Sequence, residues 1–384
     1  MPTATPLAAP GEPLAPPLTA VSPPQVIVET VADGLDHPWA VAFLPDGTLL
    51  ITERSGQLIH FDPQHGRRTL IGGLPPLAAQ GQGGLLDLVL APDFAHSRRL
   101  YFCFAEPTPE GASRTAVARA TFAQGSTTLS ELTILFRQEP ARPDALHYGC
   151  RLLFESDGKA LLVTLGDRFH WRDEAQRLDN HLGKTVRIDP EHGQGMMARE
   201  WQQRCRDGQR AACAARPEIF TWGHRNIQGA IWHPGANQPW IVEHGPQGGD
   251  ELNALVPGEN YGWPHYTFGE EYGGGPIGKG RYHPAPYRAP LIHWTPSIAP
   301  SGMAFLASDR YGLEWQGAVV VGSLKFREVR WLQTVCHRIL SEAVLPIGRR
   351  VRDVRLGPDG LVYLLTDEAQ GQLLRLRPAG SVPP

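Results

Sequence analysis

The chain has 384 residues, 41% of them apolar, and a formal net charge of −3. Such a length holds one large all-β domain or two ordinary ones, with material for a sizeable core. Lys and Arg are scattered without a basic stripe, which excludes nucleic acid as a partner, and no apolar run is long enough for a membrane span.

Residues 1–25 are rich in Pro and Ala and nearly uncharged. They lack the basic n-region and continuous apolar h-region of an intact signal peptide. They are expected to form a disordered tether, of the kind that remains when a signal is removed or truncated; the protein is expected to be periplasmic or secreted. Gln25–Val31 then reads as a strand.

From there one pattern recurs: an apolar strand, a PDG-like turn, a second apolar strand and a polar corner. Copies begin at Ala40, Leu85, Arg151, Gln228, Ser301 and Val351. Strand repeats spaced by roughly 45 to 80 residues indicate a propeller. Asp-Gly supplies the positive φ that a tight hairpin needs. The 42 Gly, 36 Pro and 10 Trp fit many short strands and argue against a helical protein. The fold expected is therefore an all-β, six-bladed β-propeller over residues 26–378, with a flexible tail at 379–384. Gln25–Val31 would close the ring against the last blade, removing an open edge. Residues 190–217 read as a short, partly helical insertion, and 257–296 as a structured Gly-, Pro- and aromatic-rich loop. Long ordered loops on such a scaffold are where function is placed.

Polar residues stand at the start of successive repeats: Gln82 in GQGG, His147 and Arg151 in HYGCR, Arg225 and Asn226 in GHRNIQG, Lys325 in SLKFREVR, and Arg350 and Arg352 in RRVRD. The inner strands of a propeller all begin at one mouth of its channel, so these residues converge. Alone, each arginine reads as a solvated blade-edge charge. Together, Arg225, Lys325, Arg350 and Arg352 would be costly neighbours unless something anionic compensates them. His147 is the candidate general base, since imidazole titrates near neutrality; His224 and His244 compete for the role. EHGPQGGDELN (Glu243–Asn253) offers carbonyls at a Gly-Pro corner and carboxylates at Asp250 and Glu251. Such oxygens suit calcium, and an ordinary Asp/Gly turn fits equally; the spacing is not that of an EF-hand.

The five cysteines form no CxxC pattern. Cys205 and Cys213 could close a small loop, which would suit an exported protein, or remain free thiols. The odd number leaves at least one unpaired.

In order and spacing, GQGGLL, HYGCRL, LGDR, GHRNIQG, EHGPQGGDELN, NYGWP, APSGMAF, SLK and RVRD resemble the soluble quinoprotein sugar dehydrogenases, the glucose/sorbosone and aldose sugar dehydrogenase family, over roughly residues 26–378. The resemblance implies a six-bladed propeller binding pyrroloquinoline quinone (PQQ) at its mouth. It implies that Lys325, Arg350 and Arg352 hold the cofactor, with Gln82 and Asn226 nearby, and that Arg225 polarises the quinone carbonyl. Carbonyls of Gly245 and Pro246 would hold calcium, and Glu251 and Tyr261 match positions of a second calcium in relatives. His147 would take the proton of an aldose C1 hydroxyl, hydride would pass to PQQ, a lactone would form, and an external electron acceptor would reoxidise the cofactor. The pattern departs at Leu146, where glucose-specific members carry aspartate, and this implies a broader or different sugar preference. Two other readings stand beside this one: a calcium-dependent propeller hydrolase of the lactonase type, which needs inner-strand carboxylates around one ion, and a non-catalytic sugar- or protein-binding propeller.

Overall fold

The computed structural model describes residues 5–6, 18–209, 213–281, 284–335 and 338–380. Six sheets carry its regular structure. Their innermost strands are Pro38–Phe43, Leu85–Leu90, Gly149–Phe154, Ile227–His233, Pro300–Phe305 and Val351–Leu356. Each packs against the innermost strands of both neighbours, the last meeting the first, so the sheets are six blades around one axis. Every repeat read from the sequence starts on, or one to two residues inside, one of these strands.

Burial explains the composition of the strands. Second strands such as Leu49–Glu53, Leu161–Leu165 and Val362–Thr366 are buried throughout because blades cover both faces, so they read as continuous apolar runs. The outer strand Arg67–Leu70 is largely exposed and correspondingly polar. In the first, third and sixth blades the turn aspartate caps the chain two residues on: Asp46, Asp157 and Asp359 accept from the amides of Thr48, Lys159 and Leu361. The glycines that follow, Gly47, Gly158 and Gly360, have φ of 84°, 71° and 76°, which is why Asp-Gly recurs there.

The ring closes through the start of the chain. Val26–Leu35 is the outer strand of the sixth blade, pairing antiparallel with Gly371–Pro378. Glu29 fixes that seam by binding Arg375 and Arg377 at 2.8 and 2.6 Å. Residues 18–20, expected to belong to a disordered tether over 1–25, are instead held on the body: Leu18 is buried in an apolar cluster, and Thr19–Ala20 pair in parallel with Ser341–Glu342. Burying an apolar side chain is favourable enough to hold such a segment down. Thr5–Pro6 form a short pairing with Ile292–His293. The remainder of 1–17, and 381–384 of the expected tail, lie outside the described residues.

The insertion contains the helix Arg199–Arg206, whose Trp201 is buried against Trp222. A Cys205–Cys213 disulfide closes it. A second disulfide, Cys103–Cys150, ties the second blade to the inner strand of the third. Nothing in the sequence reading paired those two; they are far apart along the chain, and only blade stacking brings them together. Cys336 lies outside the described residues. No helix among the described residues is long and apolar enough to cross a membrane.

The axis is filled rather than open. Arg151 donates to Asp353 at 2.7 Å and to Asp87 at 3.3 Å, and Arg355 binds the same two carboxylates. Inner-strand carboxylates do converge here, as a lactonase-type site would need, but on two guanidinium groups.

Candidate active site

At one mouth of the axis the chain enters the third blade through His147. His147 and Cys150 adopt left-handed φ of 49° and 77°, and Gly149 between them 67°. Left-handed backbone in non-glycine residues costs on the order of 1–3 kcal/mol each and persists only where the surroundings over-determine it. They do so here. The His147 amide donates to Gln82 Oε1 at 2.8 Å, and the Gly149 amide to Asn226 Oδ1 at 3.2 Å. The buried Arg168 guanidinium donates to the carbonyls of Leu146 (2.9 Å) and Ser113 (2.8 Å) and lies over the Tyr148 ring. The Cys103–Cys150 disulfide anchors the far end.

The LGDR segment passes directly beneath. A Cβ on Gly166 would sit 2.0 Å from the His147 carbonyl oxygen, so only glycine fits. The next residue, Asp167, lies with Oδ1 2.7 Å from His147 Nδ1. A carboxylate accepts, so Nδ1 carries the proton and Nε2 keeps its lone pair. Nε2 has no hydrogen-bond partner among the described residues. Burial, then the Arg225 cation, hold the imidazole below its usual pKa, with Asp167 only partly opposing them. His147 is thus a buried imidazole whose orientation Asp167 fixes and whose neutral form its surroundings favour.

Its competitors differ. His224 is wholly buried, with its ring nitrogens tied to Thr221 and Glu243, both at 2.8 Å. His244 uses Nε2 to donate to the Pro300 carbonyl at 2.7 Å, and burial with Arg225 and Arg352 nearby lowers its pKa to about 3.

Beside His147 lies a cavity of about 210 Å³ whose lining includes Gln82, Asn226, Gln228, His244, Arg350 and Arg352. Four of the predicted residues therefore meet. Arg352 donates to Gln228 Oε1 (2.9 Å) and Asp367 Oδ2 (2.7 Å), while its buried Nε has no partner. Burial works against the charge of Asp367, yet the Arg352 cation holds its carboxyl well below the usual carboxylate range. Arg350 is half-exposed, 3.4 Å from the same carboxylate. Lys325 is exposed on the loop after Leu324, its ammonium 5.5 Å from the Phe326 ring, and it is not part of the lining.

Arg225 is buried at the other side of the base. It donates to the carbonyls of Gly245 (2.7 Å) and His244 (3.2 Å) and to the Tyr272 hydroxyl (3.3 Å). The Gly-Pro corner is built by Asp250, which accepts from the amides of Gly245, Ile298 and Ala299 and from the Ser297 hydroxyl. Burial pushes its carboxyl up to about 6. Asp250 is therefore a loop brace, and the Gly245 carbonyl already serves Arg225.

Glu251 is buried against Glu243; burial first, then that neighbouring charge, push its carboxyl well above the ordinary range. Asn253 Nδ2 bridges the two carboxylates at 3.0 and 3.1 Å, while its buried Oδ1 has no partner. Tyr261 stacks on His224, and its hydroxyl donates to the Ala254 carbonyl at 2.6 Å. No group of three His, Cys, Asp or Glu side chains among the described residues is placed to hold a metal.

Sequence reasoning missed Asp167, Gln228, Asp367 and Trp263 as members of this site. Asp167 and Trp263 stand inside the LGDR and NYGWP segments, so the signal was present without a role attached.

Fold and site together define a six-bladed propeller that carries a histidine–aspartate pair beside an arginine-lined cavity at one mouth. The chain belongs to the glucose/sorbosone dehydrogenase family, whose family model matches residues 35–375. It is 40% identical over 362 residues to the aldose sugar dehydrogenase YliI of Escherichia coli (strain K12), covering 93% of this chain and 94% of the relative. The apo-form structure of the soluble aldose sugar dehydrogenase of E. coli superposes with a TM-score of 0.82 at 39% identity, covering 92% of this chain and all of the other. The PQQ-bound aldose sugar dehydrogenase of Streptomyces coelicolor superposes with a TM-score of 0.73 at 26% identity, covering 93% and 99%.

Proposed function

We propose that this chain is a PQQ-dependent aldose sugar dehydrogenase that oxidises the C1 hydroxyl of aldoses to lactones. The observation that carries the reading is the unpartnered, buried Nε of Arg352 in a cavity lined by Arg350, Gln82 and Asn226, next to the His147–Asp167 pair. Donors in surplus over acceptors call for an anionic ligand, and a tricarboxylate quinone supplies it. Arg352 and Arg350 would hold its carboxylates, with Gln82 and Asn226 at its edges. Lys325 would contribute by leaving the Phe326 ring and reaching in from the rim. PQQ, when bound, supplies the two-electron acceptor for the C1 hydride and passes the electrons to an external acceptor.

The protein supplies the rest. His147 Nε2 takes the proton of the C1 hydroxyl, and the Asp167 carboxylate stabilises the imidazolium that results. Arg225, its face against Trp263, presents a fixed cation at the point where negative charge develops. Leu146 offers no polar side chain beside the base, which supports a broader sugar range than glucose alone. For calcium, the donor chemistry fits at Glu251: two buried carboxylates and the orphaned Asn253 oxygen form an oxygen set suited to a hard cation. The corner at Gly245 and Pro246 fits less directly, because a cation there would share the Gly245 carbonyl with Arg225. Two disulfides support an oxidising compartment, the periplasm or the exterior.

The reading is tested by reconstitution with PQQ and calcium followed by a dye-linked assay over a panel of aldoses. Dye reduction that requires PQQ, with lactone as product, is expected; no PQQ-dependent turnover on any aldose would overturn it.

A further inference from the structure

Trp263 touches both halves of the site. Its indole Nε1 donates to Asp167 Oδ2 at 2.8 Å, on the oxygen that His147 does not use. Its ring lies 5.4 Å from the Arg225 guanidinium, within cation–π range. The residue is 6% exposed and packs with Ala175 and Ile277. Its own backbone is held on both sides: the amide donates to the Gly223 carbonyl at 3.0 Å, and the carbonyl accepts from Gln176 Nε2 at 2.6 Å. The long loop that follows the third strand of blade four is thereby fastened to the base of blade three.

We infer that Trp263 is the positioning residue that keeps the His147–Asp167 pair and Arg225 in one register. A buried indole N–H needs an acceptor, and here the acceptor is the carboxylate that orients the base. The Asp167 side chain also accepts from the Phe169 amide at 2.8 Å, and its own amide donates to the Arg225 carbonyl at 2.8 Å. The Trp263 bond is the one that pins the second oxygen and stops the carboxylate from rotating about its Cβ–Cγ bond. It also draws charge away from His147, so that Asp167 orients the ring without over-stabilising its protonated form. The inference rests on His147 being the base. The groups facing that imidazole are Asp167, Arg225, Arg168 and His244.

The test compares Trp263→Phe, which keeps an aromatic face over Arg225 but removes the donor, with Trp263→Leu, which removes both. One readout needs neither cofactor nor sugar: NMR titration of the His147 ring in the apo-protein. In Trp263→Phe the His147 titration should move to higher pH by about half a unit to one unit. In the reconstituted enzyme, kcat should fall about tenfold with KM within about twofold, and the acid limb of the pH profile should move up in step. Trp263→Leu should fall further, by about another tenfold. A merely structural Trp263 would lower Tm and leave the titration and kcat in place; that result overturns the inference. If His147→Ala proves active, the functional reading fails, and the apo titration still decides the role of Trp263. Should Trp263→Phe not fold, the indole N–H resonance of Trp263 in the unmodified protein takes its place. It should shift across the His147 titration, and a resonance indifferent to that titration overturns the inference.

Discussion

His147 Nδ1 and Asp167 Oδ1 stand 2.7 Å apart, twenty residues from one another in the chain and at the same end of two adjacent strands of one blade. The bond fixes the tautomer of the imidazole and aims its free nitrogen. Asp167→Asn keeps the size and removes the charge that stabilises the imidazolium. We expect kcat for aldose oxidation to fall about 10³-fold, with PQQ affinity unchanged. Steady-state kinetics beside a PQQ titration would check this, and a loss under tenfold would contradict it.

The pH dependence follows from the same bond. As the proposed base His147 would act when neutral, hence above its pKa, and burial with Arg225 holds that pKa below 6.5. The acid limb of kcat/KM should therefore lie below pH 6.5, with rate lost as pH falls through it. Asp167 is the group that pulls the pKa upward, so Asp167→Asn should move the limb to still lower pH. A limb above pH 7 would contradict the assignment.

Arg352 and Lys325 should separate in a binding experiment. Arg352 is buried with a spare donor, whereas Lys325 is exposed and outside the cavity lining. Arg352→Ala should weaken PQQ binding by about ten- to a hundredfold, and Lys325→Ala by less than about threefold at 0.15 M salt. Equilibrium titration with PQQ would show it; equal losses would contradict the separation.

The Cys103–Cys150 bridge spans 47 residues and Cys205–Cys213 only 8. On loop entropy alone the first is worth about 4 kcal/mol and the second about 2.5. The double variant Cys103→Ala/Cys150→Ala should lose about 5 °C in Tm by calorimetry. The pair at 205 and 213 should matter less, because it ties a surface insertion to itself.

The repeats made the architecture legible. An apolar strand followed by a polar turn specifies its own hairpin locally, with Asp-Gly in three of the six copies, so each copy marked an inner strand, and the strand at Gln25–Val31 was readable as the missing partner of blade six. His147, Arg225, Gln82, Asn226, Arg350 and Arg352 were legible as well, because in a propeller the start of each inner strand is a place in space. What sequence could not convey were relations set by packing between blades. The Cys103–Cys150 pairing and the Trp263–Asp167 bond each join segments that no local pattern relates. Lys325 is equivalent by repeat but stands exposed on its loop, outside the cavity lining, and its role in holding the cofactor stays a proposal. The charged plug around Arg151 was hidden too, since Asp87 and Asp353 read along the chain only as polar breaks within apolar strands.

The most direct test of the central claim is PQQ-dependent aldose oxidation by His147→Ala, measured with cofactor occupancy in the same sample. The account predicts turnover lowered by at least about 10³-fold with PQQ still bound, because the base is separate from the arginines that line the cavity. Near-normal turnover at full occupancy would contradict it.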